Sequence, residues 1–134
     1  MFFDPQCPHC AVLWKSARPL KSQARFVWIP VGLLTDKSAP QGAAILSAAD
    51  PVAAMDEHEA SLTEKKGGIS AMNVADDKKE IVKRNTALLN RFGFQGVPTV
   101  VAKHAQSGQL VTFEGSMGSD VLAQRLGLQP PAAQ

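Results

Sequence analysis

Cysteine is scarce: the 134 residues hold two. Two cannot staple a disulfide scaffold, and they fall short of a four-cysteine zinc or iron–sulfur site. Long apolar runs are also missing, and no stretch approaches the about 18 residues that a transmembrane helix needs. No basic segment leads into an apolar one as in a secretory signal peptide. That leaves the compartment open, because a processed chain lacks one too. Neither sign of charge dominates: 14 Lys and Arg stand against 12 Asp and Glu, for a net charge of +2. Lysine and arginine never run beyond two residues, so the footprint of a nucleic-acid or acidic-membrane binder is not there. The densest charged stretch, Asp76-Asp77-Lys78-Lys79-Glu80, cancels itself. Repeats and low-complexity blocks are absent, and only Gln129-Pro130-Pro131-Ala132-Ala133-Gln134 reads as a frayed tail.

What is there is one domain's worth of chain with an ordinary globular balance, 45% hydrophobic and 19% charged. Met1-Phe2-Phe3 reads as the end of an apolar strand closed by Asp4-Pro5, with the strand's earlier residues cut away. Cys10, Leu13, Trp14 and Ala17 share one helical face, so a helix is expected from Cys7 to about Lys21, bent or ended by Pro19. Phe26 to Leu34 is an almost continuous apolar run, expected as a strand buried on both faces, with Pro30 and Gly32 marking a bulge or an edge. From about 35 to 76 the chain is alanine-rich and reads as short helices. One covers Ala43 to Ala49, and another opens with Asp50 as N-cap and Pro51 as the first helical residue. A longer helix starts at Asp76 or Asp77, where Asp77 and Glu80 resemble a capping box. Its expected inner face is Ile81, Leu88, Leu89 and Phe92, and Gly93 is its stop. Val97 to Ala102 and Leu110 to Glu114 form a hairpin, and Gly118 to Leu126 a closing helix with Ser119 as N-cap. The expected order is β, α, β, helical segment, β, β, α.

Within that order the chemistry sits in Cys7-Pro8-His9-Cys10. A strand and a turn precede it and a helix follows, which puts Cys7 at a helix N-terminus. There the positive end of the macrodipole and the free N–H groups favour a thiolate. His9 between the cysteines adds a second stabilising group. Each pKa unit removed from Cys7 favours the thiolate by about 1.4 kcal/mol. A stabilised reduced form makes the disulfide a stronger oxidant, by about 30 mV for about 1.4 kcal/mol. Cys10, one turn on and facing the core, is the resolving thiol. Two other readings of the pair stay open: half of a zinc site completed by His9, His58 or His104, and an inert structural disulfide. Neither has a second C-x-x-C or a long closed loop to support it. Gly96-Val97-Pro98-Thr99 opens a later strand with a proline.

Together, strand, Cys-Pro-His-Cys at a helix start, and a Val-Pro-Thr strand resemble the thioredoxin fold. The resemblance implies an α/β thioredoxin fold with a helical insertion over about 35–92, placed between the second strand and the strand of Pro98. It also implies that Pro98 is a cis-proline, with Val97 and Pro98 lining the groove where an extended substrate pairs. Phe3-Asp4-Pro5-Gln6-Cys7-Pro8-His9-Cys10, Trp14, Ala17-Arg18-Pro19, Val31-Gly32-Leu33-Leu34 and the stretch from Ser38 to Pro51 narrow the likeness. They resemble the periplasmic disulfide isomerases of the DsbC/DsbG family, and within it the DsbG branch. His9, where that family carries Tyr or Gly, and Val97, where it carries Thr, look more like the oxidase DsbA. The family's N-terminal dimerisation domain has no counterpart in 1–134, which is expected to be a single catalytic domain and monomeric.

The resemblance thus implies a periplasmic thiol–disulfide oxidoreductase or isomerase with Cys7, Cys10 and His9 as catalytic residues and Val97, Pro98 and Pro8 against substrate. Its substrates would be protein thiols and disulfides, and its electron donor a membrane thiol–disulfide reductase. No metal, nucleotide or flavin is called for, since the cysteine pair carries the electrons. A monomeric oxidase and a chaperone-like peptide-binding module remain as alternatives. Of the other candidates, His58 in Asp56-Glu57-His58-Glu59 and His104 are expected as solvated surface histidines, and Trp14 and Trp28 as core. Asp4 and Gln6 are expected to shape the loop before Cys7.

Overall fold

The computed structural model describes residues 1–72 and 74–131. Four strands and five α-helices follow in the expected order: β1 Phe2–Phe3, α1 Pro8–Ala17, β2 Ile29–Pro30, α2 Ser38–Ser47, α3 Pro51–Thr63, α4 Asp76–Arg91, β3 Thr99–Lys103, β4 Leu110–Glu114 and α5 Ser119–Leu126. The sheet order is β2-β1-β3-β4. β1 runs parallel to β2, with Phe2 opposite Ile29, and antiparallel to β3, with Phe2 opposite Thr99. β3 and β4 close an antiparallel hairpin, from Thr99 opposite Glu114 to Lys103 opposite Leu110. Three helices, α2 to α4, lie between β2 and β3, the place assigned to the insertion.

α1 forms because its apolar residues recur every three or four positions. Cys10, Leu13, Trp14 and Ala17 are all buried, while Pro8 and His9 stay outside. Leu13 and Ala17 join Leu20, Val100, Leu122 and Leu126 in one cluster, between α1, β3 and α5. Cys7, Cys10 and Trp14 join Phe3, Ile45 and Met55 in a second, between β1, α2 and α3. The indole of Trp14 meets that of Trp28 edge-on at 5.1 Å, and Phe3 packs on Trp28 at 6.0 Å. Both tryptophans therefore belong to packing, as expected.

Several local expectations do not hold. The run Phe26 to Leu34 is not a strand buried on both faces, for only Ile29–Pro30 is strand. Among the described residues β1 is its strand neighbour: Ile29 N–H donates to Met1, Val31 N–H to Phe3, and the Met1 amino group to the Val27 carbonyl, so the pairing covers the two residues of β1 and little beyond. Val27, Leu33 and Leu34 are exposed. The capping box at Asp77 and Glu80 is absent: Ala75 holds the N-cap position of α4 with no side-chain bond. The buried positions of α4 are Val82 and Leu89, while Leu88 and Phe92 face outward. β3 starts two residues later than expected, after Pro98. Gly118, not Ser119, caps α5, and Ser119 Oγ instead donates to the Ser16 carbonyl at 2.8 Å. Gln129 is not frayed, because it exchanges two hydrogen bonds with the Gln23 side chain, both 2.9 Å. The last three residues of the expected tail, 132–134, lie outside the described residues. Asp50 does cap α3, accepting from Ala53 N–H at 3.1 Å. Gly93 sits at φ +78° after α4, where a left-handed residue is needed to end a helix.

Candidate active site at the start of the first helix

Cys7 is the N-cap of α1. Its sulfur accepts from the Cys10 N–H at 3.2 Å, the bond an N-cap side chain makes to an otherwise unpaired amide. Pro8 holds the first helical position, where its missing N–H costs nothing. Both cysteines are nearly closed off from solvent, Cys7 at 3% and Cys10 at 0% exposed. The two thiols are nonetheless unequal. The Cys10 thiol, donating to Cys7, brings Cys7 from its usual 9.0 down to about 7. The backbone N–H groups of Cys10 and His9 help, while burial and the Asp4 carboxylate oppose. The same hydrogen bond, with burial, pushes Cys10 far up. The thiolate of Cys7 is therefore favoured near neutral pH, and the thiol of Cys10 is retained.

The turn before Cys7 is fixed from several sides. Asp4 is fully buried, and its carboxylate accepts from Gln6 N–H at 2.8 Å, Leu33 N–H at 2.7 Å and Leu34 N–H at 2.9 Å. Gln6 donates to the Gln41 side-chain oxygen and, at 3.1 Å, to the Gly67 carbonyl. Both residues shape the loop, as expected.

The fold brings Val97 to the site across 90 residues: its carbonyl lies 3.8 Å from Cys7 Sγ. The Val97–Pro98 peptide is cis, as the resemblance implied. Val97 is half-buried and Pro98 buried. The His9 ring is exposed and sits 3.3 Å from Ser116 Oγ, at the end of β4. What His9 gives Cys7 here is its main-chain N–H.

His58 overturns an expectation. It is not a surface histidine but 0% exposed. Nδ1 accepts from Ile69 N–H at 3.2 Å, so Nε2 carries the proton and donates to the Pro5 carbonyl at 2.6 Å. Burial lowers its pKa, in keeping with the neutral ring these partners require. Its neighbour Glu59 is 2% exposed, and burial first, then the charge on Cys7, raises it to about 8. The acids around them pointed outward. The missed signal was the spacing Met55, His58, Glu59, Leu62, one helical face counted from a buried methionine. His104 is half-buried, its Nδ1 accepting from the Gln106 and Ser107 N–H groups. Among the described residues, no three His, Cys, Asp or Glu side chains converge as a metal-ligating set.

A parallel strand, a cysteine pair opening a helix and a cis-proline strand facing that pair define a thioredoxin-like domain. The model of the family described as "Thioredoxin-like domain" matches residues 1–129, and the chain belongs to that family. Among curated proteins it is similar to the Thiol:disulfide interchange protein DsbG of Pseudomonas aeruginosa, 30% identical over 131 residues, which cover 95% of this chain and 50% of that protein. The protein of the same name from Escherichia coli is 29% identical over 102 residues, covering 75% of this chain and 41% of that protein. The chain thus spans half the length, or less, of these curated relatives. Among solved structures, the catalytic domain of Proteus mirabilis ScsC superimposes with a TM-score of 0.72 over 93% of this chain and 78% of that one. At 22% identity it supports the fold.

Proposed function

We propose that this domain is the catalytic part of a periplasmic thiol–disulfide oxidoreductase that exchanges disulfides with protein substrates. The inequality of its two thiols carries the reading. Cys7 is shifted toward the thiolate near neutral pH, with its sulfur 3.8 Å from the Val97 carbonyl, and Cys10 is a buried thiol one turn behind it. A thiolate at Cys7 attacks a substrate disulfide, forms a mixed disulfide and expels one substrate sulfur as thiolate. Cys10 then attacks Cys7 Sγ, the second substrate sulfur leaves, and the substrate is reduced while the pair is oxidised. Run backward, the same steps oxidise a dithiol. Val97 and Pro98 bound the groove beside Cys7, where an extended substrate backbone pairs with the chain. Pro8 and His9, next to Cys7 in sequence, are exposed. The likeness to proteins named for thiol–disulfide interchange supports protein thiols as substrates. The periplasm as compartment and a membrane thiol–disulfide reductase as electron donor are proposed from the family resemblance of the sequence.

The test is the equilibrium reduction potential of Cys7–Cys10 against glutathione, read by alkylation and mass spectrometry. A value between about −120 and −180 mV is expected, in the range of periplasmic oxidants and isomerases. Failure of the pair to exchange with glutathione at any ratio would sink the proposal.

A further inference from the structure

The turn between β4 and α5 touches both halves of the site. On the Pro98 side, Gly115 N–H donates to the Pro98 carbonyl at 2.9 Å, and Glu114 Oε1 accepts from Gln95 N–H at 3.3 Å. On the cysteine side, Ser16 of α1 holds the turn twice. Its Oγ donates to the Met117 carbonyl at 2.6 Å, and its carbonyl accepts from Ser119 Oγ at 2.8 Å. Gly115 bends the chain at φ +93°, a conformation that side chains rarely adopt. Met117 packs on the cluster that holds Leu13, Ala17 and Leu122. The turn is thus anchored at both ends, and Ser116 lies between the anchors.

Ser116 is half-buried, and its Oγ lies 3.3 Å from Nδ1 of His9. The ring is therefore turned toward the β4–α5 turn. Among the described residues the Cys7 sulfur meets the Cys10 thiol, the N–H groups of Cys10 and His9, and the Val97 carbonyl, not the His9 ring. Yet an imidazolium next but one in sequence to a thiolate is attracted to it. Two places compete for this ring, Ser116 Oγ and Cys7 Sγ, and the anchored hydroxyl holds it.

We propose that Ser116 is a positioning residue of the redox pair: its hydroxyl keeps the His9 ring on the β4–α5 turn, off Cys7 Sγ, and so limits what the imidazole adds to the thiolate. This rests on the exchange reaction above. With the ring held off, the start of α1 and the Cys10 thiol stabilise the thiolate. With the ring released, an imidazolium adds to them, the reduced form gains, and the pair becomes a stronger oxidant. The charged groups of the surrounding elements are engaged or turned away. The Asp4 oxygens serve Gln6, Leu33 and Leu34, and Glu59 of α3 is buried. Glu114 of β4 takes the Gln95 N–H. Lys15 of α1 and Asp120 of α5 are exposed, and neither they nor His9 form an ion pair among the described residues.

The test compares wild type, Ser116→Ala and Ser116→Thr in the whole chain, each also combined with His9→Ala. Alkylation of Cys7 by iodoacetamide is followed from about pH 5 to 9, and the glutathione equilibrium is read by mass spectrometry. Ser116→Ala is expected to react about threefold faster near pH 5.5, the gap closing by about pH 8 as an imidazolium loses its charge. Its glutathione equilibrium near pH 6 should move about threefold toward the dithiol, or about 14 mV at about 30 mV per tenfold. Ser116→Thr keeps the hydroxyl and should follow wild type. With His9→Ala present, Ser116→Ala should change neither reading. Slower alkylation of Ser116→Ala, or a pH profile overlapping that of wild type, would overturn the proposal and leave the exchange reaction intact. An equal shift in the His9→Ala background would do the same, because the hydroxyl would then act without the ring. Inability of the wild-type pair to exchange with glutathione would overturn both. Wild type alone gives a check that no misfolded variant can spoil: three-bond couplings in the His9 side chain should report a single rotamer, and averaged couplings would overturn the assignment.

Discussion

Helix α4 reaches β2 with two polar side chains, and both are satisfied there. Thr86 accepts from Gly32 N–H at 2.9 Å while donating to Val82, and Asn85 donates to the Pro30 carbonyl at 3.1 Å. Helix α3, from the same stretch between β2 and β3, buries two ionisable side chains side by side. One, His58, is bonded at both nitrogens; the other, Glu59, is bonded at neither oxygen among the described residues. A satisfied polar contact holds a helix in register and contributes modestly to stability. An unsatisfied acid works against stability unless it keeps its proton. α4 is therefore the strut of the pair, and α3 carries the acid that has no partner among the described residues, beside the cysteine pair.

The contrast can be broken most forcefully at Leu89. It is fully buried on α4 and packs with Phe2 and Val31. Leu89→Ala should cost about 2–5 kcal/mol of unfolding free energy by denaturant titration. Glutathione exchange by the folded fraction should stay as in wild type, and a comparable loss of exchange would erase the division of labour. His58→Ala comes next. It strands the Pro5 carbonyl and the Ile69 N–H, at about 2–3 kcal/mol, and should also alter the alkylation rate of Cys7, because Pro5 belongs to the turn that presents it.

A subtler signature is pH. Glu59 holds its proton up to about 8 in the fold against 4.5 ordinarily, so the folded state binds the extra proton between those values. Stability should fall as pH rises through that window, by up to about 1.4 kcal/mol per unit, and Glu59→Gln should remove that slope. His58 works in the opposite sense. Its pKa is lowered by burial, so its contribution is lost as pH falls below 6.5. The smallest effect is expected at Asn85. Asn85→Ala should cost about 1 kcal/mol and leave exchange untouched, and a changed Cys7 alkylation profile in that variant would blur the distinction between the two helices.

Much of the site was written in the residues. Cys7-Pro8-His9-Cys10 fell after a strand and before a helical pattern, and Val97-Pro98 opened a later strand, so both halves could be named before being seen together. Helices α1 and α3 were marked by Pro8, Asp50 and Pro51, which act locally. What could not be read depended on neighbours distant in sequence. β2 is short because its partner β1 offers few bonds, which no pattern within Phe26 to Leu34 records. α4 shows Val82 inward and Phe92 outward because β2 and α2 choose the face, whereas its own apolar residues favoured another. His58 and Glu59 looked like solvated residues for the same reason. Polar side chains announce exposure by composition, and only the packing of Met55 beside them reverses it.

Cys7 is also the cap of the helix it activates, and this makes α1 a gauge. The bond from Cys10 N–H to Cys7 Sγ is strongest when that sulfur is a thiolate and weakens when it enters a disulfide. Helix caps contribute about 0.5–2 kcal/mol, which at about 30 mV per 1.4 kcal/mol amounts to about 10–40 mV of reduction potential. Part of the oxidising strength of the pair is thus held in the first turn of a helix. The exchange rate of a single backbone hydrogen, on Cys10, would read out the redox state of the protein without touching either sulfur.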